Sequence, residues 1–160
     1  MKIGVIADTH DNLPKIRQAV ELFNSEGVEL VIHAGDIIAP FAVEAMKELR
    51  CRVVAVLGNN DGEKIILARK FEDIGELHAN MAQIEVAGKK ITVVHYSDSV
   101  EALAVSGQFD IVIYGHTHEV DVREGKTLIV NPGECGGWVT GKCTVAIVDL
   151  DKLDAEIREL

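Results

Sequence analysis

Seven residues of this chain place side chains of types that divalent metals bind at the ends of apolar runs: Asp8, His10, Asp36, Asn59, His95, His116 and His118. Each stands where a short apolar run gives way to polar residues. Ile3 to Ala7 runs into Asp8-Thr9-His10, the run from Leu30 ends at His33-Ala34-Gly35-Asp36, and Cys51 to Leu57 runs into Gly58-Asn59-Asn60-Asp61. Two later runs stop at His95 and at Gly115-His116-Thr117-His118. The donors are carboxylate, imidazole and amide oxygen without thiolate. That set suits Mn²⁺, Fe, Zn²⁺ or Mg²⁺ rather than a soft-metal or iron–sulfur site. Asp8 and His10, like His116 and His118, are two residues apart, so extended backbone would aim both members of a pair the same way. Gly35, Gly58 and Gly115 stand beside candidate ligands, where close backbone approach is useful. Seven donors exceed what one ion needs, so the pattern predicts a two-metal site with Asp36 as the bridge. Turn chemistry or helix capping is the bland alternative, and it does not readily explain four histidines at three strand ends.

The elements that must position these residues follow from periodicity. Ile3–Ala7, Leu30–His33 and Cys51–Leu57 are short and nearly all apolar, as strands covered on both faces are. Between the first two, Asp11-Asn12 offers caps and Pro14 suits a first helical turn. Leu13, Ile16, Val20 and Phe23 recur at helical spacing, and Gly27 ends the helix. Phe41 to Leu49 reads as a second helix and Ile65 to Phe71 as a third. This β-α-β-α-β order predicts parallel strands with helical crossovers in the N-terminal half. Ala82–Val86 and Ile91–His95 read as a hairpin turning at Gly88-Lys89-Lys90. Asp98 with Glu101 resembles a capping box for a helix to about Ser106. Asp110–Tyr114, Leu128–Val130, Thr144–Val148 and Ala155–Ile157 complete the strands. In open α/β sheets ligands bind beyond the carboxyl ends of strands, so the polar clusters would converge there.

The 160 residues form one expected domain, 1–160, with 48% apolar and 26% charged residues, an ordinary balance for a globular protein. No apolar run is long enough for a membrane span, and Asp8 arrives too early for a signal-peptide core. Cys51, Cys135 and Cys143 form no disulfide or zinc-finger pattern, so the reading is free thiols in a reducing cytoplasm. A net charge of −10 argues against long nucleic acid as a partner, while leaving room for a small phosphate ester beside bound metal.

The order D-x-H, G-D, G-N-x-D, H, G-H-x-H resembles the calcineurin-like metallophosphoesterase family from Asp8 to His118. Asn131-Pro132-Gly133 resembles a further strand-end element of that family, and the chain's size is similar to its small single-domain, YfcE-like phosphodiesterase branch. Any one block is weak evidence; five in order are specific. The resemblance implies a four-layer α/β/β/α sandwich. One metal would be held by Asp8, His10, Asp36 and His118, and a second by Asp36, Asn59, His95 and His116. Two divalent ions are implied, Mn²⁺ first, with Ni²⁺, Fe, Zn²⁺ or Mg²⁺ as alternatives. The implied activity is that of a phosphoesterase, a phosphodiesterase foremost, in which a metal-bridging hydroxide attacks phosphorus. Asn60, Asp61 and His10 take the implied catalytic positions. A homo-oligomer is compatible with this reading, and a membrane partner is not expected.

Two positions depart from the family pattern. Asn60 stands where many relatives have a histidine that contacts phosphate and assists the leaving group, with the following Asp orienting it. An amide can donate to a phosphoryl oxygen but cannot act as general acid, a role worth about 10²–10⁴-fold. Good leaving groups are therefore expected to be preferred, diesters ahead of alkyl monoesters. After His95 the chain reads Tyr96-Ser97-Asp98 where glycine and histidine are common, and Tyr96 would either narrow the pocket or point into the core. His33 and His78 read as structural, His33 with a claim to steadying the site; Asp11 reads as a cap. Gly136 to Cys143, GGWVTGKC, nearly spells a P-loop. Cys143 replaces the metal-binding hydroxyl, and strand-forming residues follow instead of a helix, so it reads as a glycine-rich loop. The rival function is a non-catalytic protein-interaction scaffold of the same fold, similar to the family's retromer subunit. Such a scaffold may lose metal-site histidines, and here every position is filled.

Overall fold

Apolar residues that alternate in direction along every central strand must be buried on two sides, and the fold supplies both. The computed structural model describes residues 1–160. β1 (Lys2–Ile6), β2 (Leu30–His33) and β3 (Arg52–Val56) are buried at almost every position. They pair in parallel, joined by α1 (Leu13–Glu26) and α2 (Ala42–Met46). α3 (Lys64–Phe71) leads to β4 (Gly75–His78), again parallel to β3. A second sheet begins with the hairpin β5 (Met81–Val86) and β6 (Lys89–Val94). It continues through α4 (Val100–Val105), β7 (Ile111–Ile113), β8 (Val120–Arg123) and β9 (Leu128–Pro132). β10 (Thr144–Asp149) and β11 (Asp154–Glu159) return to the first sheet, β10 antiparallel to β1. The orders are β11-β10-β1-β2-β3-β4 and β5-β6-β7-β9-β8.

Three apolar clusters define four layers. Eighteen buried residues, among them Ile3, Val5, Ile32, Val54, Ile91, Ile111 and Val130, fill the space between the sheets. The alternate residues Ile6, Val31, Val53, Ala55 and Ile147 face α1, α2 and α3 through Ile16, Phe23, Val43, Leu67 and Phe71. A smaller cluster of Val94, Val112, Tyr114 and Ile129 packs under α4 through Val100 and Leu103. Burying each large aliphatic side chain contributes roughly 1.5–3 kcal/mol, so the inter-sheet layer is the main stabilising seam. The α/β/β/α sandwich and the N-terminal βαβ units are as expected.

The differences lie at edges and caps. β4 and β8 are absent from the sequence reading because both are edge strands of four residues with polar, half-exposed faces. The hairpin turns at Ala87-Gly88, both at positive φ, and Lys89 and Lys90 already pair with Val86 and Glu85. Asp98 and Glu101 make no capping box: Ser97–Ser99 is a turn of 3₁₀ helix, and Glu101 instead accepts from Arg123 Nη1 at 2.6 Å. Asn12 caps α1 by accepting from Lys15 N–H at 3.4 Å, and Gly27 ends it at φ 66°. No helix is long and apolar enough to cross a membrane.

Candidate metal centre

β1, β2 and β3 run parallel, as do β6, β7 and β9, so within each sheet the polar clusters emerge at one edge. Backbone hydrogen bonds lace these ends together. Asp8 N–H donates to Gly35 O at 3.0 Å, His10 N–H to Asp36 O at 3.1 Å, and Gly115 N–H to His95 O at 3.2 Å. The two sheets meet where His116 N–H donates to Asp8 Oδ2 at 3.0 Å.

The backbone beyond the strands is not extended. Asp8, His10, Asp36, His116 and His118 all have positive φ, between 43° and 70°. Left-handed backbone at non-glycine residues costs on the order of 1 kcal/mol or more each, and such strain gathers at functional sites. Asp8 and His10 do converge, 3.9 Å apart, but the expectation that His116 and His118 point one way is corrected. His118 stacks near His10, ring centroids 5.1 Å apart, while His116 lies 5.1 Å from His95. The left-handed turns separate two side chains that extended backbone would align. The glycines beside them make room: a methyl at Gly35 would meet His95 Nδ1 at 2.5 Å, and one at Gly58 would meet Asp36 N at 2.6 Å.

The ring protons can be placed from their partners. His95 Nδ1 lies 2.8 Å from Ala34 O, which only accepts, so Nδ1 donates and Nε2 carries a lone pair. That lone pair faces Asn59 Oδ1 at 2.9 Å and Asp36 Oδ2 at 3.6 Å. His118 Nδ1 donates to Glu134 Oε2 at 3.0 Å, which leaves Nε2 facing Asp8 Oδ1 at 3.6 Å. His10 Nε2 is buried without any hydrogen-bond partner, 3.6 Å from Asp36 Oδ2 and 3.9 Å from Asp8 Oδ1. Lone pairs facing lone pairs at these separations are the arrangement a cation resolves. Asp8, His10 and His118 form one potential ligand group and Asp8, Asp36 and His95 another, each with its donor atoms within 4.8 Å of one another. Asp36 Oδ2 sits 3.6 Å from both His10 and His95, where a bridging carboxylate would stand.

Electrostatics fit the same picture. Burial pushes Asp8 up to about 7, with the Asp36 charge adding to it and His118 opposing it. Burial lowers His10 and His95, favouring the neutral rings that metals bind. Burial also takes His33 down to about 4. Glu134 goes the other way: burial would raise it, but hydrogen bonds from Thr140, His118 and Val139 outweigh that and hold it below its ordinary value.

The remaining expected residues divide. Asn60 donates its amide to Asp36 Oδ2 at 2.7 Å and its N–H to Asp36 Oδ1 at 2.8 Å, so it faces the centre. Asp61 does not orient Asn60. It is buried and accepts four backbone N–H groups, from Asp36 (3.2 Å), Ile37 (2.7 Å), Ile38 (2.7 Å) and Gly58 (2.6 Å). Tyr96 lies on the surface edge-on to His95 and His116, not in the core. Asp11 accepts from Ala39 N–H at 3.0 Å rather than capping α1. His33 is buried under the site, accepting from Gly35 N–H at Nδ1, so its Nε2 proton points to Thr9 Oγ1 at 3.2 Å. Asn131 donates to Gly115 O at 3.1 Å and Thr117 Oγ1 at 3.0 Å, steadying the His116–His118 turn. Glu134 is buried against His118 and is not among the residues the sequence motif marks. Its only signal was a charged residue directly after Asn131-Pro132-Gly133.

Comparison with known proteins gives one consistent result. The profile of the calcineurin-like phosphoesterase superfamily domain matches residues 1–153. Phosphodiesterase MJ0936 of Methanocaldococcus jannaschii is 43% identical over all of this chain and 98% of its own length. Phosphodiesterase YfcE of Escherichia coli is 28% identical over 83% of this chain and 78% of its own. A solved structure of a novel archaeal phosphodiesterase superposes with a TM-score of 0.95 at 40% identity, covering 100% of both chains.

Proposed function

The chain belongs to the calcineurin-like phosphoesterase superfamily and is a phosphoester hydrolase, and from that premise we propose that it cleaves phosphodiesters at a dinuclear metal centre. One ion is assigned to Asp8, His10, Asp36 and His118, the other to Asp36, Asn59, His95 and His116. The observation that carries this reading is the set of inward-facing Nε2 atoms on His10, His95 and His118, each within 4 Å of Asp8 or Asp36 and none accepting from a protein donor. The imidazole and oxygen donors suit Mn²⁺, Ni²⁺, Fe, Zn²⁺ or Mg²⁺ alike, and the family resemblance puts Mn²⁺ first. Two ions bound there would polarise the phosphoryl oxygens and supply hydroxide at neutral pH.

The protein's own groups set what reacts. Asn60 places an amide donor beside Asp36, where it can bind a phosphoryl oxygen but cannot protonate a leaving group. Diesters with good leaving groups are therefore the substrates we assign. Half-exposed Tyr96, against His116, offers a face for a base or aryl substituent. The net charge of −10 favours a small ester over long nucleic acid, and three free thiols suit a cytoplasmic setting.

Hydrolysis of an aryl phosphodiester by the Mn²⁺-loaded protein, beside an alkyl monoester, tests this reading. The diester should turn over faster, and Asp36→Asn should lose on the order of 10²-fold or more in kcat. Faster turnover of the alkyl monoester would overturn the leaving-group assignment. Stoichiometric metal binding without turnover of either ester would instead favour the scaffold reading.

A further inference from the structure

The glycine-rich stretch after β9 does cradle an anion, but the anion is the protein's own. Glu134 Oε2 accepts from Trp138 N–H at 3.0 Å, and Oε1 accepts from Val139 N–H at 3.0 Å. The Thr140 N–H and the Thr140 hydroxyl, the latter at 2.7 Å, also donate to Oε1. Gly137, at φ 68°, makes the turn that brings three successive N–H groups to one carboxylate. The remaining approach to Oε2 is taken by His118 Nδ1 at 3.0 Å. The loop then reaches back across the centre, with Trp138 Nε1 donating to His10 O at 3.1 Å. A fully buried carboxylate is tolerated only when its lone pairs are satisfied, and here four loop donors and one imidazole satisfy them.

We propose that Glu134 is a positioning residue of the centre: through one carboxylate it fixes the His118 ring with Nε2 toward Asp8, and it seats the Trp138 loop against the His10 segment. The inference rests on the metal reading above. Its physical basis is general. A carboxylate on the far nitrogen of a metal-binding imidazole sets the tautomer, holds the ring plane and raises the basicity of the near nitrogen. Glu134→Gln keeps the shape but turns an NH₂ group toward donors it cannot accept from, whichever way the amide lies.

Calorimetric titration with Mn²⁺ is the test. Wild type should bind, and Glu134→Gln should bind roughly 10–100-fold more weakly. In a His118→Asn background the same substitution should weaken binding by a clearly smaller factor, because the route through the ring is gone and only the Trp138 loop on His10 remains. Thr140→Val removes the hydroxyl bonds to Glu134 and Lys142 but keeps the carboxylate on His118, so it should weaken binding less than Glu134→Gln does. Glu134→Gln binding within threefold of wild type, or losing equally in both backgrounds, overturns the proposal and leaves the metal reading intact. A wild type that binds no metal sinks the metal reading instead. Should Glu134→Gln fail to fold, ¹⁵N-histidine NMR of the metal-free wild type decides. The proposal requires the His118 proton on Nδ1, and a proton on Nε2 overturns it.

Discussion

Asp61 takes four backbone N–H donors from two strand ends and so holds the Asp36 and Asn59 segments in register. Its replacement by alanine would leave several buried donors unsatisfied, at about 1–3 kcal/mol each before water enters. Asp61→Ala should therefore cost about 3 kcal/mol overall and lower Tm by roughly 6–12 °C, read by calorimetry on the metal-free protein. His33 makes a second residue-scale prediction. Its folded pKa is about 4 against an ordinary 6.5, because burial favours the neutral ring. Between those values the unfolded chain binds a proton that the native ring refuses, so stability rises with pH and is lost on acidification through this window. The slope from this residue is about 1.4 kcal/mol per pH unit at most. Asp8, raised to about 7, titrates with the opposite sign, so the comparison must be between variants. Denaturant midpoints at both ends of the window should show His33→Gln losing less stability on acidification than wild type. An equal or larger loss would contradict the assignment of His33 as neutral.

Elements position the ligands through glycines that admit a neighbour. Gly58 at the end of β3 lies against Asp36, and Gly4 within β1 lies under the Phe23 ring of α1, 2.7 Å from where a methyl would go. Neither has positive φ, so both act through space rather than backbone freedom. Gly58→Ala should displace Asp36 and weaken Mn²⁺ binding by tenfold or more, since bridging geometry tolerates little misplacement. Gly4→Ala should instead overpack the α1 layer, costing about 1–3 kcal/mol with metal stoichiometry unchanged. Measuring affinity and Tm for both separates the two roles; the same profile for each would refute the distinction. At this scale the central strands were legible because burial on two faces leaves an apolar run. β4 and β8 were not, because an edge strand half in water keeps no such pattern. The Ser97–Ser99 turn replaces the expected capping box because Glu101 is drawn to Arg123, a contact set by β8 and not by local sequence.

For the whole molecule, the two sheets meet at the centre, so an ion bound there would tie β1–β3 to β6 and β7. Ligand linkage adds about 2.7 kcal/mol at a hundredfold excess over Kd, which for a chain of this size raises Tm by roughly 5–10 °C. Chelation should reverse the shift, and Asp36→Asn should show little of it; a Tm insensitive to Mn²⁺ would count against a preformed site. By itself, the sequence determined the candidate donors, their order along the chain and the parallel βαβ half, because chemistry resides in residue types and burial leaves a period; the four-layer sandwich came from the family resemblance. It could not determine which atom of each donor faces inward. Asp36 Oδ2 midway between His10 and His95, and the proton on His95 Nδ1, follow from contacts across strands and between sheets. Glu134 on His118 and Trp138 on His10 follow from a loop returning over the strand ends. Positive φ at five candidate ligands separated His116 from His118, and no hydrophobic period records a left-handed residue. Those choices belong to the tertiary structure because each is a hydrogen bond or a backbone strain that only the packed chain can hold in place.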